Sequence, residues 1–482
     1  MAIEKMMEWV NETLVSARKC FSREASFRWF VVIVIGFMVW QERIGVTSFI
    51  RELWIEPRHY ESMLHFFRSK AWHLTVLREW WSQIVLSSGV IYYEFNMPIL
   101  IGGGTKKAKF GRKMPCVKRL VQESGNASKH YIFGHMFGAI GFLAGDVEKL
   151  FCLPLSVRIH DGDKQIKQWS KESVTNESHV VRLIREASQA AKMLKKKSIL
   201  LLDRYYLSVP ALLAWIEEEK QAGLPLLSIV VRVKLNATAY TKAVPNPRGR
   251  PRKKGTSVKL VQLTELFANK FIKTSILMYG KETEISYYSI DLLWGKKLYQ
   301  ELRFVIVCGL GKDPLILAST DLSLSPVSII RLYSYRFKIE CSFRELKHTI
   351  AGFAYRFWSI ATPKLNRFAK SKVDPLESVK DENSKKLISS AFDATHGFIM
   401  LGCIAHGLLQ ICSLRFADTI NSAPLRWLRT VTNSVPSESS TADFFRKSLF
   451  RRFPSTLTIL LIIQRFQNSS PGSLGFDASR RS

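Results

Sequence analysis

The sequence predicts a mixed α/β fold flanked by helical regions, and three observations predict it. Apolar residues recur at three- and four-residue spacing up to about residue 90. From Ile91 onward the chain changes to short apolar runs bounded by glycine and polar residues. The last of these early runs, Ser198-Ile-Leu-Leu-Leu-Asp203, is wholly apolar and ends in a carboxylate, as a strand buried on both faces does.

Residues 1–90 read as a helical N-terminal domain, with Gly45-Val-Thr-Ser48 as a break and cap between helices. DNA contact and pure packing both stay open for it from pattern alone. Residues 98–101, 131–143 and 153–159 read as successive strands. Residues 176–197 then read as an amphipathic helix with Val180, Ile184, Ala187, Ala191 and Leu194 on one stripe. The strand ending at Asp203 follows, and another spans 228–235. Residues 236–319 read as a β-rich insertion carrying a basic loop, with strands near 258–261, 272–279, 284–291 and 303–308. After Ser325-Pro326 the chain turns helical through Lys347, so 91–235 and 320–360 form one core. Residues 361–482 read as a helical C-terminal region ending in a disordered tail from 468. Three strands, a helix, a strand, an all-β insertion and a late helix suit a ribonuclease H-like mixed sheet.

The charge balance narrows the function. Lys plus Arg is 71 and Asp plus Glu is 40, a net charge of +31, and the excess is spread along the chain. Such a chain expects a polyanion, and nucleic acid is the usual one because neutralising phosphates releases counterions. An anionic membrane surface is the rival. The seven cysteines lack any C-x-x-C pair and read as buried thiols in a reducing compartment, not as a zinc site. The apolar run at 29–40 is too short to span a bilayer, and 397–414 is interrupted by His406 and Gln410. Both read as buried helices, so no membrane is expected.

One helix concentrates the chemistry. At 100° per residue, Tyr333, Arg336 and Lys347 all lie within about 40° of Glu340. Arg and Lys can grip phosphate oxygens, Tyr can donate to one, and a carboxylate between them is placed to hold a metal ion. A solvated helix face with i,i+4 ion pairs would show the same composition.

The spacing Tyr333-x2-Arg336-x3-Glu340-x6-Lys347, within YSYRFKIECSFRELKHTIAGFAYRFW, resembles the Tyr-Arg-Glu-Lys motif of bacterial insertion-sequence DDE transposases. The resemblance covers about 95–360. It implies that Glu340 is the third member of a carboxylate triad, that Asp203 in SILLLDRYY is the second, and that Tyr333, Arg336 and Lys347 contact transposon-end DNA. It further implies a two-metal site for Mg²⁺ or Mn²⁺ that cleaves and joins double-stranded DNA ends and target. The protein would act as a homo-oligomer in the bacterial cytoplasm, at the nucleoid.

The sequence departs from that pattern at the first carboxylate. An Asp should end the first core strand, ahead of a Gly-Thr-Lys-like turn, yet the chain reads Pro98-Ile-Leu-Ile-Gly-Gly-Gly-Thr-Lys106. Gly103 occupies the Asp position, with Gly102 as the fallback. Loss of that carboxylate is expected to remove most catalysis, and Asp161 is expected elsewhere. The sequence therefore supports either an impaired transposase or a decayed copy that binds DNA without cutting it. Arg248, Arg250, Arg252, Lys253 and Lys254 form a basic loop whose Arg-Gly-Arg-Pro core resembles an AT-hook. Gly102-Gly-Gly104 lacks the phosphate-loop spacing. His130, His135 and His160 lack paired ligand spacing and read as ordinary polar residues.

Overall fold

The computed structural model describes residues 2–39, 45–122, 130–170, 177–244, 252–278, 280–368, 374–423, 434–451 and 457–467. The tail expected to be disordered, 468–482, lies outside them, as do Arg248 and Arg250.

The N-terminal region is helical, as its periodicity predicts. Helix α1 (Glu24–Val39) carries residues 29–39 of the apolar run and buries them. Helix α2 (Leu74–Ser87) inserts Trp81, fully buried, whose Nε1 donates to the Pro154 carbonyl at 2.8 Å. That bond satisfies the indole polar atom inside an apolar setting.

The core sheet opens with β1 (Met97–Ala108), β2 (Tyr131–Gly145) and β3 (Leu150–Ile159), antiparallel in that order. Helix α3 (His179–Leu194) follows, capped by Ser178, whose side chain accepts from the Val181 amide. Val180, Ile184, Ala187 and Ala191 of its stripe are buried and Leu194 is half-buried; Leu183 and Ile184, fully buried, each contribute on the order of 2 kcal/mol of burial. The chain then enters β4 (Ser198–Leu202), parallel to β1, and crosses through helix α4 (Val209–Ala222) to β5 (Leu227–Arg232), parallel to β4. Helix α4 is stopped by Gly223 at φ +67°, the left-handed position that glycine fills without strain. The resulting strand order, β3-β2-β1-β4-β5, is that of a ribonuclease H-like mixed sheet.

The strands after residue 236 continue this sheet. They include β6 (Ile272–Met278), β7 (Lys281–Trp294), β8 (Gln300–Cys308) and β9 (Leu315–Ser319), each antiparallel to the next. Strand β9 pairs with β5, so the core edge is covered by the later strands.

One expectation for β1 is corrected. The sequence suggests a strand ending at Ile101 and a turn over Gly-Thr-Lys, but β1 runs unbroken to Ala108. Pairing with β2 carries the backbone through Gly102, Gly103 and Gly104. Their missing side chains leave room for neighbours on both faces. A Cβ on Gly102 would meet Leu183 Cδ2 at 2.6 Å and Leu202 Cδ2 at 2.7 Å.

Helix α5 (Pro326–Ser334) is capped by Ser325, with Pro326 in its first turn. The single helix expected through Lys347 is interrupted: a 3₁₀ turn at Tyr335–Phe337 separates α5 from α6 (Lys338–His348). Helix α7 (Glu382–Arg415) is among the described residues the one helix long and apolar enough to cross a membrane, and 94% of its apolar window is buried inside the protein. Its Gln410 donates to Glu438 Oε1 at 3.0 Å, so its polar interruptions have partners.

Candidate functional site

The register of β1 and β4 sets the site. Ile99 pairs with Ile199, Leu100 with Leu200 and Ile101 with Leu201. Gly103 lies two residues past the last of these pairs on β1, and Asp203 lies two residues past it on the chain leaving β4. Helix α6 covers the sheet at Gly103: a Cβ there would lie 3.2 Å from Ile339 Cγ2, 3.4 Å from Ile339 Cδ1 and 3.7 Å from Phe343 Cε2. Gly102 points to the opposite face, against α3, which favours Gly103 over the fallback as the position facing Glu340's helix.

Arg336 is bonded to Glu340 and lies within electrostatic reach of Asp203. Its guanidinium donates to Glu340 Oε1 at 2.7 Å, and its Cζ lies 5.8 Å from the Tyr333 ring centroid. Burial works against its charge, but Tyr333, the hydrogen-bonded Glu340 and Asp203 together hold the guanidinium above its usual range. Glu340 is 48% exposed, so it faces solvent, while Tyr333 is buried despite the expected shared face. The 3₁₀ turn accounts for this difference, since it breaks the 100° stepping between Tyr333 and Glu340. The i,i+4 spacing from Arg336 to Glu340 survives the turn.

Asp203 sits half-buried just past β4, where its Oδ1 accepts from the Arg204 amide at 2.8 Å. Tyr206 lies buried beneath it; burial and the Asp203 charge push its phenol upward, with Arg336 opposing. Tyr205 is exposed and stacks on His179 with centroids 5.0 Å apart and planes 20° from parallel. Lys347 reaches β1, where Nζ donates to Thr105 Oγ1 at 2.6 Å. Burial and the neighbouring Lys107 lower the Lys347 ammonium. Sequence reasoning missed Thr105 and Tyr206 because neither stands out by type or spacing.

A two-ion site needs oxygen ligands that both ions can share. Asp203 and Glu340 supply two carboxylates. Gly103 supplies none, and Ile339 and Phe343 close over the space its side chain would enter. Glu340 is already bonded to a guanidinium. No cluster of three or more His, Cys, Asp or Glu suited to a metal ion occurs among the described residues. The residues present do not fit the pair of divalent ions. Asp161 does not fill the gap: it follows β3, two strands from β1, and pairs with Lys118 at 2.5 Å.

The other sequence-marked residues fall outside this cluster. His135 is buried between the Pro115 carbonyl and the Tyr355 hydroxyl, His160 lies 3.6 Å from Glu186, and His130 is exposed. Of the basic loop, Arg252 and Lys253 are exposed, and Lys254 Nζ sits 3.8 Å from the Tyr240 ring centroid. All seven cysteines are free thiols.

Residues 172–356 match the family model described as the transposase DDE domain, a segment containing Asp203 and Glu340 and ending before the C-terminal helices. No curated protein matches the chain. Among solved structures, a cryo-EM structure of the piggyBac transposase synaptic complex with hairpin DNA is similar at 12% identity and a TM-score of 0.36, covering 99% of this chain and 85% of that one.

Proposed function

We propose that this chain is a transposase-type protein that grips the DNA ends of an insertion element and does not cut them with its own carboxylates. The observation that carries the reading is Gly103, two residues past the last β1–β4 pair just as Asp203 is, and closed over by Ile339; in this reading the triad would need its first acid there. The match of 172–356 to the transposase DDE domain and the net charge of +31 support the DNA-end partner. Arg336, Lys347 and Tyr333 would hold end phosphates, and Arg252, Lys253 and Lys254 would extend the contact along the duplex. In this reading the protein bridges two ends as a homo-oligomer at the bacterial nucleoid.

An active but impaired enzyme is the second reading. Asp203 and Glu340 favour it, since both remain and both act on Arg336. Incubation with Mg²⁺ or Mn²⁺ and duplexes bearing the terminal inverted repeats of the surrounding element separates the two. The binding reading expects a mobility shift without strand breaks, and breaks only from a Gly103→Asp variant. Cleavage by the unaltered chain would overturn it.

A further inference from the structure

Beyond Lys347 the site opens into a cleft of about 980 Å³ between the end of β1 and the segment after α6. Lys107, Arg112 and Lys113 line it from the end of β1 and just beyond, and Lys347, Arg356 and Lys364 from α6 and the segment after it. No Asp or Glu is among the described residues that line it. Arg112, Arg356 and Lys364 are exposed and form no ion pair among the described residues. The floor is formed by Lys109, whose Nζ donates to the Phe353 and Tyr355 carbonyls and lies 3.3 Å from the Tyr355 ring centroid. Burial, with Lys107 and Arg356 nearby, pulls this ammonium down to about 6. Two aromatic side chains stand among the cations, Phe110 at 87% exposed and Trp358 at 56%.

A cleft lined only by one sign of charge focuses a polyanion. Cations interleaved with solvent-facing aromatics serve a particular one. The cations follow a phosphate backbone while the rings accept unpaired bases, whose faces a duplex hides. The size points the same way, because this volume lies at the upper end for small-ligand sites and holds a few nucleotides, not a helical cylinder. We propose that the cleft binds a short single strand of DNA, with Arg112, Arg356 and Lys364 on its phosphates and Trp358 stacked on a base. The strand enters past Lys347 and Thr105, so it is the continuation of the strand that lies at Asp203 and Glu340. Only this last direction rests on the DNA-end reading above; the binding does not.

The test uses the full chain and a fluorescein-labelled oligothymidylate about 15 nucleotides long, followed by fluorescence anisotropy across a salt series. An Arg112→Glu, Arg356→Glu, Lys364→Glu triple variant alters only exposed side chains. It should bind the oligomer at least about tenfold more weakly, and its log–log salt slope should shrink by about 2, near 0.7 for each lost phosphate contact. Trp358→Ala should weaken binding about fivefold or more, the lower end for one stacked base. The assignment falls if the triple variant binds within about twofold of the unaltered chain, or if polyglutamate of similar length competes as well as the oligothymidylate. An Arg336→Ala variant and an inverted-repeat duplex separate this claim from the earlier one. Failure of every form to shift that duplex, with oligothymidylate binding intact, sinks the end-binding reading and leaves the cleft assignment standing.

Discussion

Arg336 donates to Glu340 across 2.7 Å, and the same guanidinium feels the charge of Asp203. In a chain with no third carboxylate at Gly103, this arginine serves as the cation of the site. Replacing it should therefore matter more for ligands than for folding. Arg336→Ala is expected to lower stability by about 1 kcal/mol, because Glu340 is half in solvent and such pairs contribute little. Its affinity for element-end duplex should drop at least about tenfold, as loss of a charge-assisted phosphate contact does. Chemical denaturation beside a mobility-shift titration reads both, and an unchanged affinity would remove Arg336 from the interface.

Gly103→Asp adds a carboxylate where a Cβ lies 3.2 Å from Ile339. The crowding should cost about 1–2 kcal/mol in the metal-free protein, and Ile339→Ala in the same chain, which removes both Cγ2 and Cδ1, should relieve the clash itself. Millimolar Mn²⁺ should raise the Tm of the Gly103→Asp protein and leave the unaltered chain where it was. Equal metal-induced shifts in both proteins would show that Gly103 does not limit metal binding.

Glu186 is buried against Arg158, His160 and Arg78. Burial alone would raise its carboxyl, but these cationic and hydrogen-bonding neighbours win and bring it down to about 2. A carboxyl whose folded value lies below its ordinary 4.5 stabilises the fold above pH 4.5, and that stability drains away as pH falls toward 2. The amount is roughly 3 kcal/mol at about 1.4 kcal/mol per unit. Glu186→Gln should accordingly be less stable at neutral pH and show a flatter acid limb. A denaturation series from pH 7 to pH 2 in which both proteins fall in parallel would refute this.

Gly407 lets α7 pass against Trp81: a Cβ there would lie 2.3 Å from Trp81 Cζ2. The indole cannot retreat easily, since it is fully buried and bonded to Pro154. Gly407→Ala should thus destabilise by about 3 kcal/mol or more, despite alanine's better helix propensity. Thermal melting settles it, and a neutral or higher Tm would mean that the α2–α7 contact is loose.

The core strands were legible because each is a local apolar run with clear boundaries, and Asp203 was legible because it ends one. Contacts between distant segments were not. Nothing local says that β9 pairs with β5, or that Lys347 meets Thr105, 242 residues earlier. The continuation of β1 through three glycines was hidden for another reason: glycine reads as a turn, yet here pairing with β2 holds it extended. The 3₁₀ turn at Tyr335–Phe337 has no glycine or proline to announce it. The basic cleft did leave a trace, five cations in the eight residues 106–113, but only folding brings Arg356 and Lys364 into the same cleft.

Glycine at position 103 also has a genetic side. Every glycine codon becomes an aspartate or glutamate codon through one G-to-A transition at its second base. A replicating population would produce chains with an acid at that position continually, each meeting Asp203 and Glu340 already in place. The Cβ of such a variant would meet Ile339 Cγ2 at 3.2 Å, a contact that a shift of a few tenths of an ångström relieves. On the proposed reading, a single base change separates this chain from one with three carboxylates at the site.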